Sequence, residues 1–372
     1  MPHKGDCGSA EIAVPLQRDF ITLRSLAAPR HRASSLHSAC TDIALVKHIK
    51  QSKDMKKVMR LVFAAAVLVG LASCNSNDDF GTQNIEIPGI TINESDVDCC
   101  SAEEALAVYN FLQTVKPIEG VELVVDDQYK VKVYSRTGTL HTGYNDLYFV
   151  ATKESTGNYI KFLDITNLTP LMFMSRMNMY HSTPASGEVS ASDINLAAVK
   201  HGWVSFVMNS SDAGSWSLAF DVKVLKKEGR LEATTITVDA LPEGQQWIKS
   251  FKVGDDTYYL SLVNPTDWRT GTNAITAYVS KKNTPATTPY GLADEQFTIE
   301  IDPRMPDMGN HSSPNNVSLT RKNDGSYQGS INLTMTGRWR IHLTIKDTQG
   351  NIVAGGDDLS DGFSSLFWET TI

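Results

Sequence analysis

The sequence predicts an all-β protein made of two tandem two-sheet β-sandwich domains, preceded by one short helix and a hydrophobic leader. Three observations carry that expectation. Strand formers are abundant, with 12 Tyr, 13 Phe and 6 Trp beside many Thr and Val, and only one convincing amphipathic helix stands beyond the N-terminal part. The chain repeats itself at a spacing of about 129 residues, as from Asp126 to Asp255. Apolar and polar residues alternate in short runs separated by turn-forming residues. At 372 residues, 41% hydrophobic and 20% charged, the composition is globular and supports a sizeable core. A formal charge of −8 argues against a nucleic-acid surface, which needs a positive footprint.

The elements follow in order. Met55, Lys56, Lys57 and Arg60 lead into the apolar run from Leu61 to Gly70, and then to Leu71-Ala72-Ser73-Cys74. A basic start, an apolar run too short for a comfortable membrane span and small residues before a cysteine are the parts of an export signal. They resemble the bacterial lipobox, which implies a signal peptide over residues 55–73 and lipid on Cys74. Signal peptides act from the N-terminus, so Met55 is the expected start and residues 1–54 an extension upstream of it. If that extension belongs to the protein, the apolar run becomes a membrane anchor instead. Removing residues 1–73, with 11 basic and 5 acidic side chains, leaves 23 and 37, a net charge near −14.

Asn75-Ser-Asn-Asp78-Asp79 resembles the acidic export signal of Bacteroidota surface lipoproteins and equally suits a solvated tether. Residues 74–100 are expected to be that tether, rich in Asn, Asp, Ser and Gly. Cys7 and Cys40 fall in the extension, so the adjacent Cys99-Cys100 pair gives no disulfide framework and reads as two thiols or a local bridge. Ser101-Ala-Glu-Glu104 is a capping box opening a short helix over 101–117, with Ala105, Leu106, Tyr109 and Leu112 on one face and Pro117 ending it.

The two copies are expected at 118–243 and 244–372. Asp126-Asp127-Gln-Tyr129 recurs as Asp255-Asp256-Thr-Tyr258, and Thr142-Gly143-Tyr-Asn145 as Thr270-Gly271-Thr-Asn273. The segment Met174 to Pro184 recurs, one residue shorter, as Met305 to Pro314; Gly202-Trp203 and Gly214-Ser-Trp216 match Gly325-Ser-Tyr327 and Gly337-Arg-Trp339. Tyr327, Gly329, Ile331, Leu333 and Met335 alternate with polar residues, as do Trp339, Ile341, Leu343 and Ile345 after the turn at Thr336-Gly337. The pattern predicts a hairpin burying one face. The paired aspartates read as hairpin turns rather than calcium ligands.

Gly325-Ser-Tyr327-Gln-Gly329 and Met335-Thr-Gly337-Arg-Trp339, preceded by the Met305/Met308/His311 loop, resemble the YtkA-like (FixH-like) domain family. The resemblance is good over about 296–347, looser over the rest of 244–372, and reaches the first copy mainly through its match to the second. The first copy departs from it with Trp203 in place of Tyr327. The resemblance implies an Ig-like β-sandwich outside the cytoplasm and a link to copper or respiratory-complex biology.

The candidate ligand residues are Met174, Met177, Met179 and His181 in the first copy, with Met172 close by, and Met305, Met308 and His311 in the second. Thioether sulfur is a soft, neutral ligand that needs no deprotonation, so Met/His clusters suit copper; zinc or calcium would want thiolate, more imidazole or carboxylate. The competing reading makes Met172, Met174 and Met179 core residues, with Met172 and Met174 on one face and Met177 and Met179 on the other, and the loops a contact for an envelope protein partner. His342 sits on the exposed parity of its strand, and His141 and His201 lack counterparts in the other copy. No nucleophile elbow, phosphate loop, His-Glu-x-x-His or paired-carboxylate signature is present. The expectation is a non-catalytic envelope lipoprotein held to the outer membrane by its lipid, a binding module for copper or else an accessory subunit of an envelope complex. A carbohydrate-binding reading, through Tyr144, Tyr180 or Trp268, has no support in the spacing.

Overall fold

The structure, a computed structural model, describes residues 85–372 except Glu94, Ser192 and residues 357–364. The extension expected at 1–54, the signal peptide at 55–73 and the lipid site Cys74 lie outside the described residues. Among those described, no helix is long and apolar enough to cross a membrane.

The protein is mostly β, with two sandwich-like units in tandem. In the first, one antiparallel sheet has the spatial order Lys116–Val125, Tyr129–Ser135, Gly143–Lys153, Val199–Phe206; the facing sheet has the order Met179–His181, Leu163–Met174, Gly214–Val224, Lys227–Ile236. Val131, Leu147, Phe149, Phe206, Trp216, Phe220 and Val224 fill the core between them.

The second unit repeats this order. Ile248–Val253, Asp256–Asn264, Gly271–Lys281 and Tyr327–Leu333 form one half; His311–Ser312, Thr298–Met305, Arg338–Lys346 and Ile352–Gly355 form the other. A further strand, Val317–Arg321, lies between Tyr327–Leu333 and Thr298–Met305 and fuses the halves into one ten-stranded sheet. It wraps around a core containing Leu260, Ile331, Trp339, Ile341 and Trp368.

The recurring sequence blocks have a physical basis. Buried Asn145 accepts from the His141 amide at 2.9 Å and donates to the His141 and Gly143 carbonyls. Asn273 makes the same three bonds, to Arg269 and Gly271. Both glycines need left-handed backbone, at φ 85° and 90°, so Thr-Gly-x-Asn is one turn device used twice. Asp126 and Asp127, each at φ 54°, occupy the two central positions of a hairpin turn.

His342 differs from its expected solvated place. The C-terminal strand Phe367–Thr371 pairs beside it, leaving it 4% exposed, and burial pushes its pKa down to about 4.

The helix, Ala102–Leu112, starts on the expected box: Ser101 Oγ accepts from the Glu104 amide at 3.3 Å and Glu104 Oε2 from the Ser101 amide at 2.8 Å. It packs on the outer face of the first sheet, with Ala105 and Val108 against Tyr148, Val150 and Val199. That cover explains the unbroken apolar run Leu147 to Ala151, which is buried on both faces.

The expected tether is packed chain from residue 85 on. Ile87 is buried under the helix with Ile85, Ile90 and Ile92 beside it, the Thr91 amide donates to Thr156 at 2.7 Å, and Asp96 pairs with Lys153. Cys99 enters the sandwich core and Cys100 the cluster under the helix, so the two free thiols serve opposite sides.

Gly157 sits under this arm at φ 71°, and a Cβ there would lie 2.1 Å from the Gly89 carbonyl oxygen. Gly157→Ala is expected to lift residues 85–92 from the 154–158 loop and cost about 1–3 kcal/mol. Faster exchange of the Thr91 amide, with core amides still protected, checks it.

The two units meet through backbone bonds. The Ser182 amide donates to Ala286 at 2.7 Å, Tyr290 to Thr183 at 3.1 Å and Ala185 to Tyr290 at 3.2 Å. Ser205 and Ser261 hydroxyls bond at 2.6 Å, and Trp203 stacks on Tyr278 at 5.0 Å.

Candidate functional site

The methionine-rich segment of the first unit is a hairpin. Met172 pairs with His181, Phe173 with Tyr180 and Met174 with Met179. Directly opposed residues share a face and neighbours alternate, so Met172, Met174, Met179 and His181 lie on one side, Phe173 and Tyr180 on the other. The latter two rings meet at 4.8 Å. Met179 was expected opposite in facing to Met174; the turn returns it to the same face. Met177 stands on the turn, 56% exposed, with its amide bonded to the Met174 carbonyl at 3.2 Å.

His181 has a defined tautomer. Nδ1 lies 2.9 Å from the Ser182 carbonyl oxygen, which can only accept, so Nδ1 carries a proton and in the neutral ring the lone pair is on Nε2. Nε2 is buried without a hydrogen-bond partner. The imidazole stands edge-on to Trp216 at 5.5 Å, and Trp216 in turn donates to the Met208 carbonyl at 2.9 Å. Met172 is buried over Gly214, where a Cβ would come within 2.6 Å of its methyl carbon.

The second unit is built differently. Met305 pairs with His311 but is 3% exposed and packs over Gly337, where a Cβ would lie 2.7 Å from its methyl carbon. Met308 ends the 3-10 turn Pro306–Met308 and is 57% exposed; His311 is exposed. Arg338 donates to both carboxylate oxygens of Asp307 in this turn, at 3.1 and 2.7 Å. The counterpart of Met305 is therefore Met172, each opposite a histidine and over a glycine, and not Met174 as the sequence blocks align. Met305 is buried where Met308 and His311 are exposed. The signal that could have set the register was present: Gly214 and Gly337 recur in the repeat because each leaves room for a methionine.

Among the described residues, no three His, Cys, Asp or Glu side chains are grouped to hold a metal ion. A site on this face would depend on thioethers.

Residues 252–344 match the family model described as YtkA-like. That stretch runs from the end of Ile248–Val253 into Arg338–Lys346 and includes Met305, Met308 and His311. The first unit lies outside the match, and its likeness to the second rests on strand order. No curated protein matches the chain. Among solved structures, a similar chain is the Bacteroides ovatus mixed-linkage glucan utilization locus (MLGUL) SGBP-B in complex with mixed-linkage heptasaccharide, 9% identical over 69% of this chain and 70% of that one, with a TM-score of 0.16. At that score the likeness carries nothing about this chain's site.

Proposed function

We propose that this protein is a non-catalytic binding module of the bacterial cell envelope, held to the outer membrane by lipid on Cys74, and that its first unit takes copper(I) between Met174, Met179 and His181. The observation that carries the metal reading is the His181 ring, with Nδ1–H given to a carbonyl and the Nε2 lone pair buried and unused, on the face that holds the paired methionines. A ligating histidine is commonly fixed by such an outer hydrogen bond, and thioether with imidazole is a soft donor set. Met177 is outside this set because the turn carries it away from the face.

The second reading is protein contact in an envelope complex. Met177, Met179, Tyr180 and Met308 are all about half exposed, which favours it.

Anaerobic copper(I) titration separates them. Met174→Leu with Met179→Leu, which conserves volume, is expected to weaken binding at least about tenfold, and His181→Ala similarly, whereas Met308→Leu with His311→Ala leaves it unchanged. Equal affinity in all the variants removes the metal site and leaves the contact reading.

A further inference from the structure

His201, on the strand Val199–Phe206, lies outside the face just described and is held by two carboxylates at once. Its Nε2 is 3.0 Å from Asp146 Oδ1, and its Nδ1 contacts Asp193 Oδ2 on the loop before the strand. The ring stacks on Tyr148 at 5.0 Å. A neutral imidazole has one N–H and one lone pair, so it can donate to only one carboxylate. Both contacts together require the imidazolium.

The two carboxylates are not equivalent. Asp146 is 10% exposed and separately anchored, with Arg136 Nε donating to Oδ2 and the Tyr144 hydroxyl to Oδ1, each at 2.9 Å. Asp193 is 51% exposed on a loop. When the ring loses its proton, the Asp193 contact is the one that opens. Downstream of Asp193, Ile194 and Leu196 pack into the seam between the helix and the first sheet, against the cluster of Ala105, Val108, Tyr148 and Val199. Upstream, Ser190 and His201 exchange backbone bonds at 3.0 and 2.7 Å.

We infer that His201 and Asp193 form a protonation-controlled latch, which holds residues 193–197 in the helix–sheet seam while the imidazole is charged and releases them when the charge is lost.

The surroundings support a charged ring. Burial opposes the charge, but the bond to Asp146, its charge and then Asp193 outweigh it, and the pKa is raised above the ordinary histidine value. The other titratable groups here are Tyr144 and Tyr148 from the strand Gly143–Lys153 and Arg136 at the end of Tyr129–Ser135. Tyr278 of the second unit lies against Tyr144, with Asp324 acting on it. Because the folded pKa is raised, the latch's contribution is fully present below the unfolded value and is lost as pH rises through the folded one.

Limited proteolysis of the full chain tests it, comparing native protein with Asp193→Asn at each pH from about 6 to about 9, so that the protease's own pH dependence cancels. The variant is expected to be cut within 193–197 about tenfold faster at the acid end, with the ratio falling towards one at the alkaline end. His201→Gln, which can donate to Asp146 alone, is expected to be cut fast throughout. A ratio of one at every pH, or a ratio above one that does not change with pH, overturns the latch.

Discussion

Trp339→Ala is expected to cost about 3–5 kcal/mol and to move one unfolding transition rather than two. Trp339 is fully buried at the centre of the second unit, its indole N–H donates to the Met335 carbonyl at 3.0 Å, and the adjacent Gly337 makes room for Met305. Truncation leaves a large cavity and an unpaired carbonyl in one step. Loss confined to the second unit would be the outcome if the sandwiches were independent. The backbone bonds joining residues 182–185 to Ala286 and Tyr290 argue otherwise, because separating the units strands buried polar groups on both sides. Urea unfolding read by hydrogen exchange distinguishes the cases: amides of Leu163–Met174 should lose protection at the same lowered midpoint as those of Arg338–Lys346.

The recurring blocks made two sandwich-like units readable in the sequence, but not all of their pairing: Tyr327–Leu333 pairs with Gly271–Lys281 and Val317–Arg321, not with Arg338–Lys346 as the expected hairpin would have it. Blocks such as Thr-Gly-x-Asn recur because a buried asparagine must find the same three partners in each copy. The fused sheet was not readable, since Val317–Arg321 has no counterpart strand in the first unit. Nor was the packed arm. Its polar composition suggested a spacer, while four isoleucines, at positions 85, 87, 90 and 92, do the anchoring. The covered strand held a clue, for Leu147 to Ala151 lacks the alternation of a half-exposed strand.

Register was the harder quantity. Aligning Trp203 with Tyr327 is natural by type, yet Asn145 pairs with Val204 and Asn273 with Ile331, so Val204 is the counterpart of Ile331. Trp203 is thereby turned out of the sandwich core and onto Tyr278. A separate slip, of two residues on another strand, set Met305 against Met174 rather than Met172. It preserved facing, since two residues restore parity, but it hid that the first unit has two more face methionines than the second. His201, set aside in the sequence for lacking a counterpart in the other copy, shows no role there because its two carboxylates lie 55 and 8 residues away and no local motif joins them.

Tyr290→Ala is the change expected to separate the two sandwiches. The side chain is 1% exposed, stacks on Tyr259 at 5.6 Å, and sits where the 286–290 loop clamps residues 182–185. Removing a buried aromatic of this kind costs about 3–5 kcal/mol. Here that cost falls on the junction, because the Tyr290 amide and carbonyl are the groups bonded to Thr183 and Ala185. The single transition should therefore split, with the first unit retaining most of its stability and the second unfolding at lower urea. His181 supplies an independent readout. The carbonyl that fixes its tautomer belongs to Ser182, whose amide is bonded to Ala286, so a loosened junction should free the ring to change tautomer. Nitrogen-15 shifts of His181 should then move from the single Nδ1–H form towards an average of two. A variant that still unfolds in one step, with the His181 shifts of the native protein, would show that the clamp does not couple the units.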